Sequence, residues 1–108
     1  MGTTILGKIS EIYFGKKDQR IGLWITLSGS SSVQSSYDCW DPEDIKITEN
    51  TKWTEKDRNE QLIVIMRKLS ELLKKAKVND IQDLKNIPVE ITFSKHHLDS
   101  WRILEEVL

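Results

Sequence analysis

The stretch TEKDRNEQLIVIMRKLSELLKKAK, residues 54–77, is where the periodicity of the chain changes and the fold class is decided. Its apolar residues Leu62, Met66, Leu69, Leu73 and Ala76 follow a 4,3,4,3 spacing, with Ile65 and Leu72 widening the same stripe. That spacing predicts a long amphipathic helix whose Leu62, Met66, Leu69 and Leu73 enter the core. Thr54 is the expected N-cap. Glu55 and Asp57 meet the positive end of the helix dipole, and Lys74, Lys75 and Lys77 crowd the negative end. Arg67 with Glu71, and Glu71 with Lys75, are i,i+4 ion pairs. Asn79 is the expected left-handed residue that closes the helix.

Upstream of this helix the period is two. Residues 3–14 are rich in Ile, Tyr and Phe and end at Gly15-Lys16-Lys17-Asp18, a polar cluster whose glycine suits a hairpin turn. Ile21, Leu23, Ile25 and Leu27 then alternate with Gly22, Trp24, Thr26 and Ser28, the pattern of a strand with one buried face. A turn at Ser28-Gly29-Ser30-Ser31-Ser32 leads into a third strand, residues 33–40, which Pro42 ends because it has no amide hydrogen for a ladder. Residues 45–48 read as a short edge strand. Downstream, Asp80 caps a short helical turn over residues 81–85, and Pro88 starts a strand in which Val89, Ile91 and Phe93 alternate with Glu90 and Thr92. Residues 94–97 turn, and residues 98–108 return as the last strand, with Trp101 and Ile103 on one face.

The order is β-β-β-α-β-β, an α+β single domain over residues 1–108 with about five antiparallel strands on one long helix. An OB-like barrel and an open curved sheet share this order, and sequence leaves both open. A chain of 108 residues supports one core without metals or disulfides.

Charge narrows the function. Sixteen Lys and Arg stand against seventeen Asp and Glu, with a pI near 6.1, whereas domains that hold nucleic acid mainly by phosphate neutralisation have a pI above about 9. The one basic excess lies in residues 51–86, with nine cations against six carboxylates. It includes Arg67, Lys68, Lys74, Lys75 and Lys77, a run that reads first as a solvated helix face. The longest apolar run, Leu62-Ile63-Val64-Ile65-Met66, is far short of the roughly 20 residues that span a bilayer, so no membrane anchor is expected. Cys39 is the sole cysteine and the start of the chain has no signal-peptide pattern, which fits a reducing cytoplasm.

Four of the eight aromatic residues are tryptophans: Trp24, Trp40, Trp53 and Trp101. Trp24 falls on the polar face of its strand, and Trp40 shares a face with Gln34, Ser36 and Asp38. Either the long helix covers that face, or Trp24 and Trp40 are binding anchors. Asp38, Asp41, Glu43 and Asp44 surround Trp40 and form either a solvated loop or an acidic docking surface for a basic partner. They lack the order of a calcium-binding loop, so no metal is expected. His96 and His97 are adjacent in a turn and point apart, which excludes joint chelation. No glycine-rich phosphate loop and no nucleophile motif is present, and the expectation is a protein without enzymatic activity or cofactor.

Residues 76–93, AKVNDIQDLKNIPVEITF, and 98–108, LDSWRILEEVL, resemble the ending of small uncharacterised proteins of tailed phages and prophages. The likeness extends through Trp53-Thr54-Glu55-Lys56-Asp57-Arg58 and the Gly7-Lys8-Ile9 start. It implies a bacterial host cytoplasm and an accessory, replication or host-takeover role, with no catalytic or ligand residues to carry across. The expected function is therefore an accessory protein that binds a host or phage protein, in an anti-defence, host-takeover or ligand-sequestering role, alone or as a homo-oligomer. Its expected site is Trp24, Tyr37, Trp40, Asp38, Asp41 and Asp44. The alternative is single-stranded nucleic-acid binding on an OB-like sheet, with Trp24, Tyr37 and Trp40 as stacking platforms and Lys46 plus the helix lysines as the cationic part.

Overall fold

The computed structural model describes residues 2–40, 54–95 and 97–108. Trp53, His96, the acidic residues Asp41, Glu43 and Asp44, Lys46 and the expected strand at residues 45–48 lie outside them. Five strands form one antiparallel sheet: β1 (Thr3–Lys17), β2 (Arg20–Ser28), β3 (Ser32–Trp40), β4 (Pro88–Ser94) and β5 (His97–Ile103), in the order β3-β2-β1-β4-β5. The helix α1 runs over Glu55–Ala76. The fold is therefore α+β, as the change of period requires.

The first hairpin is longer than the sequence reading. Strand β1 runs past Gly15 to Lys17, and the turn is Asp18-Gln19, with Asp18 at φ 53°. Asp tolerates that left-handed conformation, so the turn does not require the glycine. At the other end β1 changes partner. It pairs with β4 from Thr3 to Lys8 and with β2 from Lys8 to Lys17, and the register slips between Ile9 and Glu11. Ser10 is the extra residue of this bulge, and its hydroxyl donates to the Thr26 carbonyl at 3.2 Å and accepts from Ser28 at 2.8 Å.

The sheet is curved and does not close into a barrel. Strands β3 and β5 are its two edges, yet α1 packs on both and on β2. Trp101 Nε1 on β5 donates to Ser35 Oγ on β3 at 3.2 Å, and the Lys68 ammonium lies 5.2 Å from the Tyr37 ring centroid and 5.9 Å from that of Trp101. The core lies between this inner face and α1: Ile9, Leu23, Ile25, Leu27, Val89, Ile91 and Ile103 from the sheet, Leu72 and Ala76 from α1, and Leu84 from a 3-10 turn at Ile81–Leu84.

Thr54 and Asp57 form a capping box, the Thr54 N–H donating to Asp57 at 2.9 Å and the Asp57 N–H to Thr54 Oγ1 at 3.2 Å. The helix closes at Lys77, φ 60°, rather than at Asn79. Hydrogen bonds from Val78 N–H to the Leu73 carbonyl and from Lys77 N–H to the Lys74 carbonyl complete a Schellman motif. Val78 thereby folds back onto the core, which offsets the cost of a left-handed lysine. The buried seam is Ile65, Leu72 and Ala76; Leu62, Leu69 and Leu73 are half-buried and Met66 is 55% exposed. The apolar stripe is wider than the strip of helix the sheet covers, so its Met66 side is left to solvent. Glu71 pairs with Lys75 at 2.9 Å and Lys68 at 3.5 Å rather than with Arg67; the Lys75 hydrogen bond, then the Lys68 charge, hold its carboxyl low.

After β5 the chain makes a 3-10 turn, Glu105–Val107, instead of continuing as a strand. Arg102 fixes it by a two-pronged bond to Glu106 at 3.0 and 2.9 Å and reaches Glu90 on β4 at 3.2 Å. The Arg102 guanidinium, then a backbone hydrogen bond, lower the Glu106 carboxyl to about 2 from its ordinary 4.5. A depressed carboxyl adds stability above its ordinary value and loses it as the pH falls from 4.5 toward 2. Arg102→Ala is expected to return the Glu106 titration midpoint to the ordinary carboxylate range, as read by NMR of the side-chain carboxyl carbon; an unmoved midpoint would refute the pairing.

Candidate binding surface

In an antiparallel register, residues opposite one another share a face. The outer face of β1, β2 and β3, away from α1, is therefore built of four rows: Glu11–Thr26–Gln34, Tyr13–Trp24–Ser36, Gly15–Gly22–Asp38 and Lys17–Arg20–Trp40. Trp24 and Trp40 share this face, as alternation along their strands requires. Tyr37 does not. It lies on the inner face, half-buried against the core and under Lys68, so the three aromatics make no common stacking platform.

Trp24 is buried at 8% exposure, on the face of β2 opposite the core residues Leu23, Ile25 and Leu27. The Tyr13 ring lies 5.8 Å from it at 36°, and the Lys17 ammonium sits 4.9 Å from the Trp24 centroid and 5.5 Å from that of Tyr13. Glycine at position 15 lets Tyr13 lean along its own strand, where its hydroxyl donates to the Lys16 carbonyl at 2.7 Å; a Cβ at Gly15 would stand 3.0 Å from that hydroxyl. Beside this cluster a depression of about 390 Å³ is lined by Glu11, Tyr13, Lys17, Thr26 and Gln34.

Trp40 is 42% exposed, and the Arg20 guanidinium carbon lies 4.4 Å from its ring centroid. Arg20 Nε also donates to Asp38, and its Nη2 reaches the Asp38 carbonyl at 3.5 Å. Asp38 therefore holds a cation on the tryptophan instead of presenting a bare carboxylate. Of the expected site, Trp24, Asp38 and Trp40 share the outer face, with Asp38 and Trp40 joined through Arg20 and Trp24 two rows from Trp40, Tyr37 lies on the other face, and Asp41 and Asp44 fall outside the described residues.

Tyr13, Lys17 and Arg20 join the site unforeseen. The signal was the alternation Glu11, Tyr13, Gly15, Lys17, which becomes visible only when β1 is carried past Gly15. Elsewhere, Ile63 and Val64 stand exposed with Met66 on the outer side of α1, and Cys39 is buried. Among the described residues no group of three His, Cys, Asp or Glu could hold a metal ion, and no helix is long and apolar enough to cross a membrane. Compared with protein-family models, curated proteins and solved structures, the chain matches none.

Proposed function

We propose that this chain is a small accessory protein of a tailed phage or prophage that acts without catalysis, by binding a host or phage protein through the outer face of β1–β3. The observation that carries the reading is Trp40, half-exposed at the end of an edge strand with Arg20 stacked on it and tied to Asp38. Trp, Tyr and Arg dominate interface energies, and a guanidinium already fixed by a carboxylate loses little freedom on binding. Tyr13, 45% exposed, extends the same aromatic surface. The phage context rests on the likeness of residues 76–93 and 98–108.

The test is affinity capture from bacterial and phage-infected lysates with the wild type and with Trp40→Ala, first shown to be folded by circular dichroism. Loss of the captured protein by the variant is the expected result. Retention of every wild-type partner would place binding on another surface.

Single-stranded nucleic acid is the second reading, favoured by aromatics and cations sharing the strand 2–3 face on which OB-type domains bind oligonucleotides. Against it, Arg20 is neutralised by Asp38, and Trp24 has no free ring face. A labelled oligonucleotide at about 50 mM salt separates the two: salt-sensitive anisotropy that Trp40→Ala abolishes would favour this reading.

A further inference from the structure

The apolar stripe of α1 is wider than its buried seam. Beside Ile65, Leu72 and Ala76 runs the row Leu62, Met66, Leu69 and Leu73, half-buried except for Met66, which is 55% exposed. Met66, Leu69 and Leu73 line a groove of about 390 Å³ that Ser70, Lys74 and Val78 complete. Val78 stands there because the left-handed Lys77 turns the chain back along the helix end. On the solvent side of this row lies another with the same 4,3,4 spacing, Ile63, Arg67, Ser70 and Lys74, exposed throughout. Two cations therefore border the groove, with a small residue between them. Glu71 faces another way round the helix, to Lys75 at 2.9 Å and Lys68 at 3.5 Å. Glu60, the carboxylate on the cationic side, precedes Ile63 by a turn and lies beyond the groove.

We propose that this groove docks an amphipathic helix of another protein, with the partner's apolar side on Met66, Leu69 and Leu73 and its flanking carboxylates against Arg67 and Lys74. A helix held in a groove presents anchors at i, i+3 or i+4 and i+7, and Met66, Leu69 and Leu73 offer the matching row. The Met66 thioether is flexible and adapts to an irregular surface. Ser70 lets the partner backbone come close between the two cations. Charge selects the occupant. A second copy laid antiparallel about Ser70 would set Arg67 against Lys74 twice, whereas carboxylates in the same places are attracted. Nucleic acid would meet the same cations, but beside them it would find leucine and methionine where single strands stack on aromatic rings. The groove belongs to α1, on the other side of the sheet from Trp40, so its test is separate from that of the outer face.

The test uses a fluorescein-labelled peptide of about four helical turns, with leucines along one side and glutamates flanking them, beside the same peptide with lysines in place of the glutamates. At about 50 mM salt, anisotropy is expected to show the full chain binding the glutamate peptide about tenfold more tightly than the lysine peptide. The double change Arg67→Glu with Lys74→Glu is expected to invert that order, and Met66→Asp to weaken both peptides, with thermal melts confirming that each variant is folded. On titration with the glutamate peptide, the methyl NMR signals of Met66, Leu69, Leu73 and Val78 are expected to move. Equal affinity for the two peptides, a preference that survives the charge reversal, or no binding of either at several hundred micromolar would overturn the proposal. So would methyl signals that shift with protein concentration alone, which would give the groove to a second copy, or an oligonucleotide that displaces the glutamate peptide, which would make the cations a nucleic-acid surface.

Discussion

Leu72→Ala is expected to lower the free energy of unfolding by about 2–5 kcal/mol, a large share of the roughly 5–15 kcal/mol of a typical domain. Leu72 is 2% exposed and belongs to the cluster that joins α1 to Ile9, Leu23, Ile25 and Leu27. Removing its isobutyl group loses transfer free energy and opens a cavity, because the sheet behind it is held by its own ladder and cannot collapse. Leu69→Ala, at a half-buried position, is expected to lose less, and Met66→Ala to stay within about 0.5 kcal/mol of wild type. Urea unfolding followed by circular dichroism, with unchanged slope, measures all three. Equal midpoints for Leu72→Ala and Met66→Ala would mean that the helix is turned differently on the sheet.

Gly22→Ala is the second large effect, with an expected loss of about 1–3 kcal/mol or more. Gly22 is buried and stands in register with Gly15 on one side and Asp38 on the other. A Cβ there would lie 2.3 Å from the Tyr37 carbonyl oxygen and 2.5 Å from the Asp38 Cα, both backbone atoms of β3. Relief requires moving the edge strand itself, and with it the carboxylate that fixes Arg20 on Trp40. Gly15→Ala, in the neighbouring position of the same row, meets only the hydroxyl and ring of Tyr13, which can swing away. A thermal melt of Gly15→Ala close to wild type, beside a clearly lowered Gly22→Ala, is the expected contrast. An unshifted Gly22→Ala would show that β3 does not approach β2 as closely as described.

Element type and order were legible in the sequence because they depend on short-range rules. Alternation marked β2 and β4, a 3.6 period marked α1, and Thr54 and Asp80 announced their caps through side chains that bond amides two or three residues away. Gly15 misled because a glycine inside a strand looks like a turn when read locally. Its purpose is the Tyr13 ring that leans over it.

The faces of β2 and β3 follow from the alternation of side chains along a strand, which puts Trp24 and Trp40 on one face and Tyr37, grouped with them in the expected site, on the other. Burial on those faces does not follow from it. Trp24 is covered by Tyr13 and Lys17, brought to it by the register of a hairpin whose turn residues differ from those expected. The rotation of α1 was likewise a tertiary decision. Seven apolar positions wind around more of the helix than a curved sheet can cover, and the contact with β3 and β5 selected Ile65, Leu72 and Ala76. The bulge at Ser10 lies further still from local pattern. It lets one strand serve two partners, β4 up to Lys8 and β2 from there on, a consequence of where β4 ends that no residue of β1 encodes alone.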